Sequence, residues 1–368
     1  MVKITKTLKT SSRATKSPNS PKINWQKVVT REYPFLWADY TNDAYKKMAQ
    51  VVGTTLRYNL FTGDKDILNI YRDPKDVERS YKLIDKVAKK ISTLETMMNT
   101  YDELVAKNYQ LFKEIPSLKN KAEIKKKLIA LDKNFLLTVM YFLFFVFLGY
   151  GADKPNIKKF LKKHGARFDK LRMRTIDMDM KREFPKCFAK YDKALLNLAA
   201  SMKRQELLTF LKTGKIDKNK IKQRAKNYLV VTKNLKTKEY KLADISQVLK
   251  TELAHLKIDT QTKVISGQAA CLGNARGQAV VVLSQKDYHK IKAGNILVTT
   301  MTKPDIVPYL KNVKGIVTND GGALSHASII SREMKIPCLT GTKYATDIIK
   351  DGENLLLEVA KGVVRRLI

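Results

Sequence analysis

Residues 315–342 read GIVTNDGGALSHASIISREMKIPCLTGT. An apolar run ends in Asn-Asp-Gly-Gly; a serine and a histidine follow, then an amphipathic stretch to about Met334 and a proline-containing return into a second β-rich run. The order is strand, tight turn, helix, strand. Gly321 and Gly322 let the backbone turn sharply and approach a ligand where a side chain would block it. His326 falls at or near the first turn of the helix, where unpaired N–H groups and the positive end of the dipole attract an anion. That position disfavours protonation of the imidazole and would stabilise a bound phosphoryl group, which suits a histidine nucleophile attacking phosphorus; on these residues alone a purely structural histidine is an equal alternative. Ser325 is placed as an N-cap or phosphate donor, and Thr318 and Asp320 are placed to contact the ring or the transferred group. Arg332 lies about 240° further round a regular helix from His326 and is not expected on the same phosphate.

Outward from this stretch, the texture from about Gly267 is short β-rich runs broken by Gly and Pro: AVVVLS, NILVTT, GIVTN, CLTGT and LLLEVAKGVVRRL. Short helical pieces such as KDYHKIK and PDIVPYLK lie between them, which makes the region α/β with compact connections. Before it, from Trp25 to about Leu256, apolar residues recur every three and four positions. VERSYKLIDKVAKKISTLETMMNTYDELVAKNYQLFKEI is one such run, and KALLNLAASMKRQELLTFLKTG, ending at Gly214, is another. The fold class expected is therefore α + α/β, an all-helical N-terminal domain followed by an α/β domain. A hairpin late in the first part, NYLVVTKNLKTKEYKL with its turn at Lys233 to Lys236, and a connecting helix in SQVLKTELAHLKI complete that reading. The divisions are a basic tail over 1–22, a mainly helical substrate- or partner-binding domain over 23–260, and the α/β domain over 261–368.

The chain carries 71 Lys+Arg against 35 Asp+Glu, and of the net +36 only +7 belongs to residues 261–368. Such an excess suits a surface for nucleic acid or anionic membrane, or lysines solvating helices. The lysines scatter along the helices without an RNP, zinc-finger or helix-turn-helix signature, which favours solvation. Cys187, Cys271 and Cys338 are far apart with no metal or disulfide spacing, in keeping with a reducing cytoplasm. The N-terminal segment lacks an apolar secretory core. Phe135 to Tyr150 is uncharged, but its roughly 24 Å as helix falls short of a roughly 30 Å bilayer core, so a buried central helix and no membrane span are expected.

Gly267 to Leu367 resembles the mobile phosphohistidine domain of the phosphoenolpyruvate-utilising enzymes: pyruvate phosphate dikinase, phosphoenolpyruvate synthase and the rifampicin phosphotransferases. The resemblance is carried by GNARGQAVVV at 273–282, by Ala293 to Thr342, and by the closing ATDIIKDGENLLLEVAKGVVRRL. It implies a swivelling fold, phosphorylation of His326, and Gly321, Gly322, Ser325 and Arg332 in the corresponding motif positions. Leu324 departs from the Thr, Ser or Asn usual two residues before the histidine; the threonine control of plant dikinases is not expected, and a relative that has lost its chemistry stays open. Cys338 matches a cysteine common in the motif and is expected to be a packed strand thiol.

These enzymes charge the histidine with an ATP-grasp domain, and no such module is legible in this chain. The expected function is a phosphotransferase component served by a separate ATP-grasp partner, with Mg2+ and ATP or phosphoenolpyruvate in the partner's site, a small-molecule acceptor, and no metal held by this chain. The alternative is a non-catalytic phosphohistidine carrier or regulatory module that docks a partner or RNA. Trp25 to Trp37 and Glu206 to Val231 faintly resemble the substrate-side helical domain of these enzymes. That likeness makes Arg31 and Glu32, with Trp25, Tyr33 and Trp37, candidates for a substrate pocket. His164, His255 and His289 read as surface.

Overall fold

The computed structural model describes residues 23–64, 67–172, 176–256, 259–322 and 325–367. The basic tail and Leu324 lie outside the described residues. The first half is helical as expected, and beside its helices it holds a five-stranded antiparallel sheet that the all-helical description leaves out. Its strands are β1 (Gln26–Glu32), β2 (Asn59–Asp64), β3 (Ile67–Arg72), β4 (Asn227–Lys233) and β5 (Lys236–Glu239), in the order β1-β3-β2-β4-β5. The β4–β5 hairpin is the one read from sequence; Asn234 and Leu235 supply the two positive φ angles of its tight turn. The other strands are short; β2 and β3 are consecutive and pair with each other, while β1 joins β3 from earlier in the chain and β4 joins β2 from further along it.

Helices Phe35–Val52, Ile91–Glu114 and Ile176–Tyr191 surround Lys121–Tyr150, which begins at Asn120, whose side chain accepts from the backbone N–H of Ala122 and Glu123. This central helix is long and apolar enough to cross a membrane, yet Phe135, Val139, Met140, Phe144, Phe145 and Leu148 are fully buried in one aromatic-rich core. Asp132, at the start of the apolar stretch, is buried and paired. Tyr40 donates to it at 2.7 Å, and Arg204 reaches it through Nε and Nη2 at 2.8 and 2.7 Å. A smaller core of Trp25, Leu60, Leu229, Val231 and Ile245 covers the opposite face of the sheet.

The second sheet is mixed: β6 (Val264–Ser266), β7 (Gln268–Cys271), β8 (Asn274–Val282), β9 (Ile296–Thr299), β10 (Gly315–Thr318), β11 (Cys338–Thr340), β12 (Asn354–Glu358) and β13 (Val363–Arg366). Their order is β6-β13-β12-β8-β9-β10-β11-β7. Four consecutive strands, β8 to β11, are parallel, and β9, β10 and β11 are buried along their whole length, as befits parallel strands covered on both faces. Alternate side chains enter two cores: Val298, Val317 and Leu339 on one face, Leu297, Ile316 and Cys338 on the other with Ala327 and Ile330 of the His326–Glu333 helix. The helical pieces read in KDYHKIK and PDIVPYLK are 3-10 turns, Gln285–Lys290 and Pro304–Tyr309.

Candidate functional site at the ends of the parallel strands

In parallel α/β sheets, ligands meet the carboxyl ends of the strands, where loops and helix N-termini converge. The turn after β10 and the loop after β9 meet here. His326 is the first residue of the His326–Glu333 helix, and Ser325 is its N-cap, with Oγ accepting from Ser328 N at 3.3 Å. Ser328 Oγ in turn donates to Gly322 O at 2.7 Å, which ties the glycine turn to the helix. Gly321 has φ +118°, and a Cβ there would meet Ser325 Oγ at 2.8 Å. Gly322 has no positive φ and no crowding atom nearer than 3.9 Å, so the conformational demand falls on Gly321.

The imidazole is half-buried, and its Nδ1 lies 2.8 Å from Thr302 Oγ1, in the loop following β9. Burial lowers the His326 pKa below the ordinary histidine value; the charges of Asp305 and Glu333 pull it back upward. The ring is therefore held neutral near pH 7. Thr302 is the functional residue that reading the histidine motif alone misses. Its signal in the sequence is the polar TTMTK that ends an apolar strand, the same strand-to-loop pattern that precedes His326.

Thr318 is fully buried, and its Oγ1 donates to Asp320 O at 2.6 Å within the turn. Asp320 points the other way: its Oδ2 is 2.6 Å from Nη1 of Arg31 on β1. Arg332 lies in the unbroken helix six residues beyond His326, well round from it. Cys338 is buried beneath the same helix, and desolvation pushes its thiol up to about 12.

The five candidates from the first half separate. Arg31 and Glu32 face the second sheet, and with Ser284, Gln285, Thr300 and Lys303 they line a cavity of about 20 Å³, room for a single water. Glu32 is buried, paired with Lys181, and accepts from Gln285 N at 3.4 Å. Trp25 belongs to the small core, its indole donating to Glu252 at 2.9 Å; Trp37 is in the main core, with Tyr33 packed on it at 5.1 Å. Beside Arg31 a larger cleft of about 400 Å³ runs between β1 and the strand-end loops, lined by Lys27, Thr30, His255, Asn319, Lys343 and Tyr344.

Of the histidines read as surface, His255 and His289 are exposed. His164 is corrected: it is half-buried, 3.0 Å from Glu95 and stacked on Phe160. Among the described residues no group of three or more His, Cys, Asp or Glu is arranged to hold a metal ion.

A half-buried histidine at a helix start, on the carboxyl edge of a parallel sheet, places the second half in the class of α/β domains that present a side chain from a strand-end turn. Residues 291–362 match the family described as PEP-utilising enzyme, mobile domain. The chain is 45% identical over 101 residues to the probable phosphoenolpyruvate synthase of Archaeoglobus fulgidus, covering 27% of this chain and 13% of that protein. It is 41% identical over 117 residues to the phosphoenolpyruvate synthase of Pyrococcus furiosus, covering 30% of this chain and 14% of that one. The matched segment thus spans about a seventh of these curated relatives. A solution structure of Enzyme I aligns with 73% of this chain and 80% of its own at 15% identity and a TM-score of 0.21.

Proposed function

We propose that the chain is a phosphotransferase component in which His326 carries a phosphoryl group between a nucleotide- or phosphoenolpyruvate-linked site and an acceptor. The observation that carries this reading is the contact of Thr302 Oγ1 with His326 Nδ1. With Nδ1–H donating to the threonine oxygen, the lone pair is left on Nε2, the nitrogen free to attack. Nε2 forms the new N–P bond as the P–O bond of the donor breaks, and the departing oxyanion keeps the electron pair. The helix start then faces the new negative charge. Gly321, Gly322, Ser325, Thr318 and Asp320 shape the turn that presents the ring, and Arg332 sits one and a half turns along.

In this reading residues 23–260 and 261–368 are separate domains and the second swivels. A separate ATP-grasp protein charges the histidine, Mg2+ with ATP would be held in that partner's site to offset phosphate charge, and the acceptor is a small molecule. Free cysteines suit a cytoplasmic setting. The cleft between β1 and the strand-end loops is where an acceptor would meet the histidine-bearing turn.

The test is to incubate the chain with an ATP-grasp protein of this enzyme class and labelled ATP, and separately with labelled phosphoenolpyruvate. Acid-labile label on the wild type and none on His326→Gln is the expected result. Equal labelling of both, or none on the wild type with either donor, overturns it.

A further inference from the structure

Cys271 and Cys338 are 67 positions apart in sequence, yet the fold sets them directly opposite each other in the antiparallel pairing of β7 with β11. Side chains of directly opposed residues leave the same face of a sheet, and here both enter the same apolar cluster beneath the His326–Glu333 helix. The pairing shifts register beside this pair, with Ala270 the extra residue on β7, and the two cysteines stay Cα partners across the strands, where neighbouring backbones are close enough for a disulfide to span. The two thiols differ in access. Cys271 lies half-exposed on β7, which forms one edge of the sheet, whereas Cys338 is fully buried on β11.

We propose that Cys271 and Cys338 form a reversible, solvent-triggered disulfide that ties the edge strand β7 to β11 under the helix carrying His326. This inference does not depend on the role given to His326. The oxidant is a small-molecule disulfide. The Cys271 thiolate attacks one of its sulfurs; the reagent's S–S bond breaks, one thiolate leaves and takes up a proton, and a mixed disulfide remains on Cys271. Cys338 then loses its proton, attacks the Cys271 sulfur and expels the second small thiol. Two protein thiols are oxidised by two electrons, and one disulfide is reduced to two thiols.

Order and direction follow from burial. The accessible thiol is attacked first, and the buried one resolves slowly, because desolvation holds its proton on. The product reaches the phosphoryl site through one contact: the Cys338 thiol lies 3.9 Å from the carbonyl oxygen of Ala327, the residue after His326. Oxidation removes that S–H donor from the first turn of the helix.

Treating the full chain with excess oxidised glutathione, quenching with acid and mapping peptides without reduction tests this. The expected product joins Cys271 to Cys338, so that thiols titratable after denaturation fall from three to one, Cys187 being the survivor. Cys271→Ser abolishes the cross-link and leaves no glutathione on Cys338; Cys338→Ala stops the reaction at a stable adduct on Cys271. Slower hydrogen exchange over 268–271 in the oxidised wild type is the accompanying change. A wild type that stops at the Cys271 adduct, takes up no oxidant, or cross-links through Cys187 overturns the proposal.

Discussion

Thr302 and His326 come from the ends of adjacent parallel strands, and the 2.8 Å contact between them sets which ring nitrogen is available. One such hydrogen bond is worth about 1 kcal/mol, so Thr302→Val is expected to slow phosphorylation of His326 by about fivefold to tenfold while leaving the fold intact. Rapid-quench labelling measures this, and an unchanged rate would remove Thr302 from the site. The pH dependence has a definite sign. The folded pKa of His326 is depressed by burial, so the neutral ring persists below the ordinary value of 6.5. Labelling should be flat around neutrality and fall only on the acid side of that value. Folding stability follows the same direction: the unfolded state binds the proton more readily, so this residue's contribution is intact above 6.5 and lost as pH falls below it. At this scale His326 and its helix start were legible, because glycines, a cap and apolar periodicity are local signals. Thr302 was not, because its partnership exists only once β9 and β10 lie side by side.

Among the elements, the Lys121–Tyr150 helix organises the first half, and a charge within it sets its position. Asp132, which in sequence terminates an apolar run, is the buried centre of the network joining Tyr40 and Arg204. Arg204→Met leaves that buried carboxylate without a counter-charge, held only by the Tyr40 hydroxyl, and is expected to destabilise the protein by about 3 kcal/mol or more, read as a lower urea midpoint. Arg204→Met paired with Asp132→Leu should recover much of the loss, since neither variant group then needs a partner. The helix itself was legible from composition and length. The first sheet was largely hidden: β2 pairs with β4 across more than 160 residues, and a six-residue strand between helical stretches leaves too little periodicity to declare itself. The β4–β5 hairpin was read from its β-branched runs on either side of a polar turn, whereas β2 and β3, though consecutive, lie between helical stretches and carry no such signal.

Across the whole molecule, the two halves meet through charge. Arg31 reaches the turn that carries His326, and Lys27 pairs with Asp347 at 2.8 Å. Ion pairs of this partly exposed kind contribute about 0–1 kcal/mol each and weaken with salt. Asp320→Arg is therefore expected to expand the molecule in small-angle scattering at low ionic strength, and adding Arg31→Asp should restore the compact form. An unchanged scattering profile for Asp320→Arg would mean the pair plays no part in holding the halves together. The strand order of the second sheet has a consequence for biogenesis. β6 and β7 are synthesised one after the other yet occupy opposite rims, and β6 waits for β13, roughly a hundred residues later, before it has a neighbour. A ribosome must therefore release nearly the whole region before either rim can close, so this half should fold late, slowly and with strong dependence on long-range pairing, while the helices ahead of it are already in place.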